Sequence, residues 1–175
     1  MSFDPEELRR GMRTWTTGVA VMMAANERGP HGMTVNSFAS VSIDPPVISV
    51  VLQNKTQMFE MVMKSRAFGV TILRADQREL SERFAGHIHK QDRMDGIATR
   101  TLTTGAPFLT EGLALLDCRV IHTHAVGENT LFLAEVVDAE IRSADLPLVY
   151  HNRGYHHLTP QEEHHHEGHE GTKAG

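Results

Sequence analysis

Thr34, Asn36, Ser40 and Ser42 fall at alternating positions along the stretch His31-Gly32-Met33-Thr34-Val35-Asn36-Ser37-Phe38-Ala39-Ser40-Val41-Ser42-Ile43-Asp44-Pro45-Pro46. In an extended segment such residues share a face. The wet face of an ordinary strand carries charges, whereas this one carries hydroxyls and an amide. A row of uncharged hydrogen-bonding groups suits a polar, flat, partly anionic ligand. The same composition also describes a solvent-facing strand rich in Ser and Thr. A second candidate is Gln53-Asn54-Lys55-Thr56. Thr56 or Asn54 can cap a following helix whose first N–H groups and positive dipole end lie beside Lys55. That is a place for a phosphate, or an ordinary cap with a surface lysine.

Other chemistries find little support. Histidines number 12. His87 and His89 share one face of an extended segment, His122 and His124 repeat that spacing, and His164, His165, His166 and His169 cluster near the C-terminus. None belongs to a His-Glu-x-x-His pattern, so no structural or catalytic metal is expected. A flexible histidine run can still bind a transition metal weakly. Cys118, in Leu116-Asp117-Cys118-Arg119-Val120, reads as a packing residue rather than a nucleophile. As the single cysteine it forms no internal disulfide, which fits a reducing cytoplasm. The chain carries no Gly-x-Gly-x-x-Gly, no phosphate-loop lysine motif and no Gly-x-Ser-x-Gly elbow. Any nicotinamide cofactor is therefore held outside a Rossmann unit.

The elements that must position these residues are mostly strands. A chain of 175 residues, 40% hydrophobic and 22% charged, fits one globular domain. Its net charge of −5 argues against a nucleic-acid surface. No apolar run reaches the ~18 residues that span a bilayer, and the N-terminus has no apolar signal region. Asp4-Pro5-Glu6-Glu7 starts a helix whose Leu8, Met12 and Trp15 share a face, predicting that it docks on the following sheet. Thr17 to Ala24 predicts a strand, and the turn cluster Asn26 to Pro30 a hairpin into the focal stretch. Val47 to Leu52 predicts a buried strand. A helix then carries Met58, Phe59, Met61 and Val62, and Phe68 to Leu73 forms another strand. Asp76-Gln77-Arg78-Glu79 has capping-box spacing for a short helix through Leu80 and Phe84. Ala85 to Gly105 reads as a loop with a helical turn, placed to act as a lid. Leu113 to Ala125 and Thr130 to Ile141 are long strands joined at Gly127-Glu128-Asn129, and Leu148 to Tyr150 is a last short one. The domain is expected over 1–158, with a polar, histidine-rich, disordered tail over 159–175. The sum is mainly β: a closed antiparallel barrel with a few peripheral helices.

Read in order, these segments resemble the short-chain flavin reductase family, the reductase components of two-component flavin monooxygenases. The resemblance runs from Leu8 to Leu158. It rests on Thr17-Gly18-Val19, Gly32 to Phe38, Ser40-Val41-Ser42, Pro45-Pro46, Phe84-Ala85-Gly86, Gly127 to Phe132 and Gly154-Tyr155-His156. It implies an FMN-binding split β-barrel with Greek-key-like antiparallel strands, a homodimer with flavin near the subunit interface, and FMN or FAD reduced by NADH or NADPH. It also implies a partner monooxygenase fed by diffusing reduced flavin, with no nucleic acid and no membrane. By the same resemblance, Thr34, Val35, Asn36, Ser37, Phe38, Ser40 and Val41 hold the ring and ribityl chain. Lys55, Thr56, Gln57 and Met58 reach the phosphate, and Phe84, Ala85 and Gly86 close over the flavin. Many members carry Gly-Asp-His-Thr-Leu-Phe at the long hairpin. Here it is Gly127-Glu128-Asn129-Thr130-Leu131-Phe132, so the nicotinamide contact falls to Asn129, Tyr155 and His156. No catalytic side chain is expected, because the two cofactors carry the hydride chemistry. The alternative is a non-catalytic flavin-binding protein on the same barrel, which the missing histidine favours.

Overall fold

A computed structural model of the chain describes residues 3–87 and 93–159. His89 and the tail histidines lie outside the described residues, as does most of the expected tail. The element order is α1 (Pro5–Arg13), β1 (Thr17–Gly18), β2 (Ala20–Asn26), β3 (Gly29–Val35), β4 (Ala39–Ser42), β5 (Val47–Gln53), α2 (Gln57–Ser65), β6 (Ala67–Ile72) and α3 (Arg78–Glu82). An irregular turn, Arg83–His87, follows. Then come β7 (Thr99–Thr101), β8 (Pro107–Leu109), β9 (Ala114–Val126), β10 (Asn129–Ile141), β11 (Val149–His151) and β12 (Gly154–His156).

Seven strands make one antiparallel sheet in the order β3-β2-β6-β9-β10-β5-β4, and β1, β11 and β12 make a second. The long β9–β10 hairpin turns at Gly127, whose φ of +58° suits glycine. Its register slips between Leu133 and Ala134 and again between Val136 and Asp138. Such bulges bend and twist a hairpin, so a 13-residue strand can curve around a core. β2 is the central wall. Ala20, Met22 and Ala24 point into one apolar cluster with Val50, Phe68 and Phe132, while Val21 and Met23 point into another with Leu73, Phe84 and Leu148. This explains why β2 is apolar at consecutive positions. Helix α2 closes the first cluster with Met58, Met61 and Val62, whose i, i+3, i+4 spacing puts them on one stripe.

Several expectations need correction. The focal stretch is not one strand: it breaks at Asn36-Ser37-Phe38 between β3 and β4. There the Ser37 hydroxyl accepts from Val51 N at 3.2 Å and donates to Val51 O at 3.0 Å, replacing a rung of the ladder with a side chain. Helix α1 forms as predicted, with Asp4 accepting from Glu6 N at 2.9 Å, and Arg9–Glu6 and Arg10–Glu7 pairs along it. It buries nothing, however: Leu8 and Met12 are 57% exposed and Trp15 67%. Amphipathic spacing specifies an apolar face, not what meets it. The capping box at Asp76 does not form. Arg74 takes the Asp76 carboxylate at 3.0 and 3.2 Å, and Gln77 starts α3 without a side-chain cap. Within the expected loop, β7 pairs with β8. β12 was also unforeseen. It returns from β11 through Asn152 and Arg153, whose φ values of 44° and 64° are both left-handed. That conformation suits a two-residue hairpin turn and costs an L-residue about 1–2 kcal/mol.

Candidate functional site

Two adjoining clefts bring the sequence candidates together. The first, about 510 Å³, lies between the end of β3, α3 and the β11–β12 hairpin, and is bordered by Thr34, Asn36, Ala85 and Tyr155. A chain of polar contacts ties its walls together. Thr34 Oγ1 donates to Ser81 O at 2.6 Å, and Ser81 Oγ bonds the Tyr155 hydroxyl at 2.8 Å. Ser81 is fully buried. The Arg78 guanidinium stands 5.4 Å from the Tyr155 ring centroid, and its Nε donates to Glu82 at 2.8 Å. Tyr150 meets the same ring edge-on at 5.4 Å between centroids.

The second cleft, about 700 Å³, is walled by Met12, Trp15, Gly18 and Phe38, and is the more apolar of the two. It also takes in Ser37. Asn36, Tyr150 and Arg153 border both clefts. Thr17 Oγ1 is buried beside the second cleft and has no hydrogen-bond partner among the described residues.

The remaining candidates sit as follows. Ser40 and Val41 lie on exposed β4, where a register shift turns Val41 outward, 54% exposed. Lys55 and Gln57 border a separate cleft of about 490 Å³ with Arg28. Thr56 does cap α2, accepting from Phe59 N at 3.2 Å, so its hydroxyl is engaged. The side chains of Val35, Met58 and Phe84 belong to the core. Phe84 in particular packs on Gly32, where a Cβ would lie 2.6 Å from the ring. Its ring cannot close over a ligand. Ala85 and Gly86 are the exposed members of that trio, and Gly86 has a φ of +105°.

Asn129 is not brought to Tyr155. It starts β10 opposite Gln53, where Asn54 N donates to Glu128 O at 2.9 Å, at the approach to α2. Tyr155 and His156 are on β12. The His156 Nε2 lies 3.2 Å from His151 O, and Thr16 Oγ1 lies 3.0 Å from His151 Nδ1. Sequence reasoning missed Arg78, Ser81, Glu82, Tyr150 and Arg153. Only Tyr150 and Arg153 carried a signal, as neighbours of Gly154-Tyr155-His156.

The arrangement binds and orients. Burial pushes the Cys118 thiol well above its ordinary value, with Asp117 adding to the rise, so it stays protonated and inert. Arg74 holds the Asp76 carboxyl below its usual range, away from either cleft. No group of three or more His, Cys, Asp or Glu among the described residues is placed to hold a metal ion. No helix among them is long and apolar enough to cross a membrane. What the clefts do offer is an apolar slot, uncharged hydrogen-bonding groups and several arginines, Arg78 and Arg153 among them. These fit a planar, phosphorylated cofactor that brings its own chemistry.

The fold and these clefts define a mainly β, antiparallel split-barrel protein. Residues 12–159 match the flavin reductase like domain family, and the chain belongs to that family. Among curated proteins it is 34% identical to an NADH-dependent flavin reductase of a Rhodococcus species, over 75% of this chain and 74% of that one. It is 37% identical to a flavin reductase (NADPH) of Lentzea aerocolonigenes, over 86% and 88%. Among solved structures, the styrene monooxygenase flavin reductase of Pseudomonas putida S12 superposes with a TM-score of 0.81 at 33% identity, covering 89% of this chain and 99% of that one.

Proposed function

We propose that this protein is an NAD(P)H:flavin oxidoreductase that supplies reduced FMN or FAD to a partner monooxygenase in the cytoplasm. The observation that carries this reading is the junction of the two clefts at Asn36, Tyr150 and Arg153. An apolar slot next to a polar one can hold two planar rings against each other. Thr17, Gly18, Asn36 and Phe38 border the slot for the flavin ring. Ser37 steadies that wall through Val51, and exposed Ser40 and Val41 continue it along β4. Lys55 and Gln57, at the N-terminus of α2, offer charge and N–H groups to the flavin phosphate. Ala85 borders the polar cleft together with Tyr155, and exposed Gly86 follows it in the chain.

When bound, the reduced nicotinamide supplies a hydride and the flavin accepts it. The protein has no bond to make or break. It stacks, orients and excludes water, which is where the rate gain lies for such a step. Uncharged hydrogen-bond donors at the flavin's edge favour its anionic reduced form.

A homodimer belongs to the same reading. Leu8 and Met12 on α1, with Trp15 just past its end, leave an exposed apolar strip, of which Met12 and Trp15 border the second cleft. Such a strip on a soluble chain is a docking surface, and here a second copy of this chain is its occupant.

The test is absorbance-monitored oxidation of NADH and of NADPH by purified protein, with FMN and FAD added in turn. Turnover with free flavin is expected and reveals both cofactor preferences. Flavin binding without nicotinamide oxidation would overturn the enzyme reading.

A further inference from the structure

Resting on the reductase reading, we propose that Arg153 binds the diphosphate bridge of a dinucleotide at the junction of the two clefts. Three independent observations lead there. First, Arg153 borders both clefts, together with Asn36 and Tyr150. With the flavin ring in the apolar cleft and its phosphate directed to Lys55, the dinucleotide whose bridge passes this junction is NAD(P)H, its nicotinamide entering from the polar cleft. Second, Arg153 is the one cation that borders both clefts and has no side-chain partner among the described residues; Arg9, which pairs with Glu6, and Arg13 line only the apolar cleft. The other arginine of the polar cleft, Arg78, is held by Glu82 and the Tyr155 ring. Third, Arg153 occupies a backbone position that favours glycine. Its φ is 64°, at the second residue of a two-residue turn, where Asn-Gly is the common solution. The turn is docked by Asn152 N donating to Arg13 O at 3.1 Å. Arginine there costs stability that glycine would not. The guanidinium contributes what glycine lacks: a planar fork of donors that matches phosphate oxygens bidentately. Backbone strain kept at a cleft is a mark of function.

Both NAD(P)H and FAD carry a diphosphate bridge, and FMN does not. The experiment uses this difference. Arg153→Gly removes the guanidinium at a position where glycine relaxes the backbone, so its melting temperature is expected to hold or rise. The Michaelis constant for NADH, measured with FMN as acceptor, is expected to rise about tenfold to a hundredfold, as for loss of a charge-assisted hydrogen bond. The FMN dissociation constant, read by flavin fluorescence, is expected to stay within twofold. Arg153→Lys keeps the charge without the fork, and its Michaelis constant should fall between the two. A weakened FAD affinity with FMN affinity intact and an unchanged NADH constant would overturn the assignment to NAD(P)H. If neither dinucleotide constant moves in Arg153→Gly, or if FMN affinity falls in parallel, the proposal is overturned. Absence of nicotinamide oxidation by the unaltered protein overturns the reductase reading, and this inference with it.

Discussion

Gly32→Ala should unsettle the polar cleft from behind. Gly32 lies on β3, and a Cβ built on it meets Phe84 Cδ1 and Cε1 at 2.6 Å and Cζ at 3.3 Å. Two effects oppose each other. Alanine in a strand restricts the unfolded chain, which by itself favours folding by about 0.5–1 kcal/mol. Overpacking a filled core costs about 1–3 kcal/mol. The second wins, because the Phe84 ring is fully buried against Val21, Met23, Leu73 and Leu148 and has no solvent to retreat into. The net expectation is a destabilisation of about 1–2 kcal/mol in urea unfolding. The displaced ring would also push the Arg83–His87 turn and move Ala85, so flavin affinity should fall as well. Phe84→Leu should relieve the clash, making the double variant less unstable than the sum of the two single ones. Gly11→Ala in exposed α1, with nothing within 4 Å of its Cβ, is the control and should be neutral or stabilising. A Gly32→Ala protein as stable as the unaltered one would refute the packing argument.

Three further outcomes are expected. Ser81→Ala and Tyr155→Phe each break the 2.8 Å hydroxyl pair. Their double-mutant cycle should show a coupling of about 0.5–1.5 kcal/mol in unfolding, and strict additivity would count against the contact. Cys118, fully buried with its thiol pushed up by desolvation, should react with an aromatic disulfide only as fast as the protein unfolds. A fast native-state reaction would contradict its burial. If the proposed homodimer docks through α1, Met12→Ser should shift sedimentation from dimer toward monomer at micromolar concentration; a monomeric unaltered protein would overturn the dimer, and an unchanged dimer would remove α1 from the interface.

Much of the strand content could be read in the sequence because alternation, β-branched runs and turn residues act locally. β5, β6, β9 and β10 follow from Val47 to Leu52, Phe68 to Leu73 and the two long runs around Gly127. The Thr56 cap follows from chemistry within three residues. The site was only partly legible. Thr34, Asn36 and Tyr155 do share a cleft, yet Phe84 and Met58 turned out to be core. A motif names a segment, whereas burial decides which of its side chains face out.

What this sequence determined by itself is the antiparallel, mainly β class, the helix start at Asp4, a cap for α2 at Asn54 or Thr56, and the family motif order. Each depends on neighbours a few residues apart. Tertiary structure alone decided that β2 is buried on both faces, that α1 leaves Trp15 uncovered, and that Asp76 serves Arg74 rather than α3. It also placed Ser81 between Thr34 and Tyr155, and Asn129 beside Gln53 rather than at the polar cleft. Most of those facts depend on pairings between residues 74 to 139 positions apart: Ser81 with Tyr155, Asn129 with Gln53 and Asn152 with Arg13. No local pattern encodes such pairings, because they are selected by which buried surfaces fit together once the whole sheet has closed on its core.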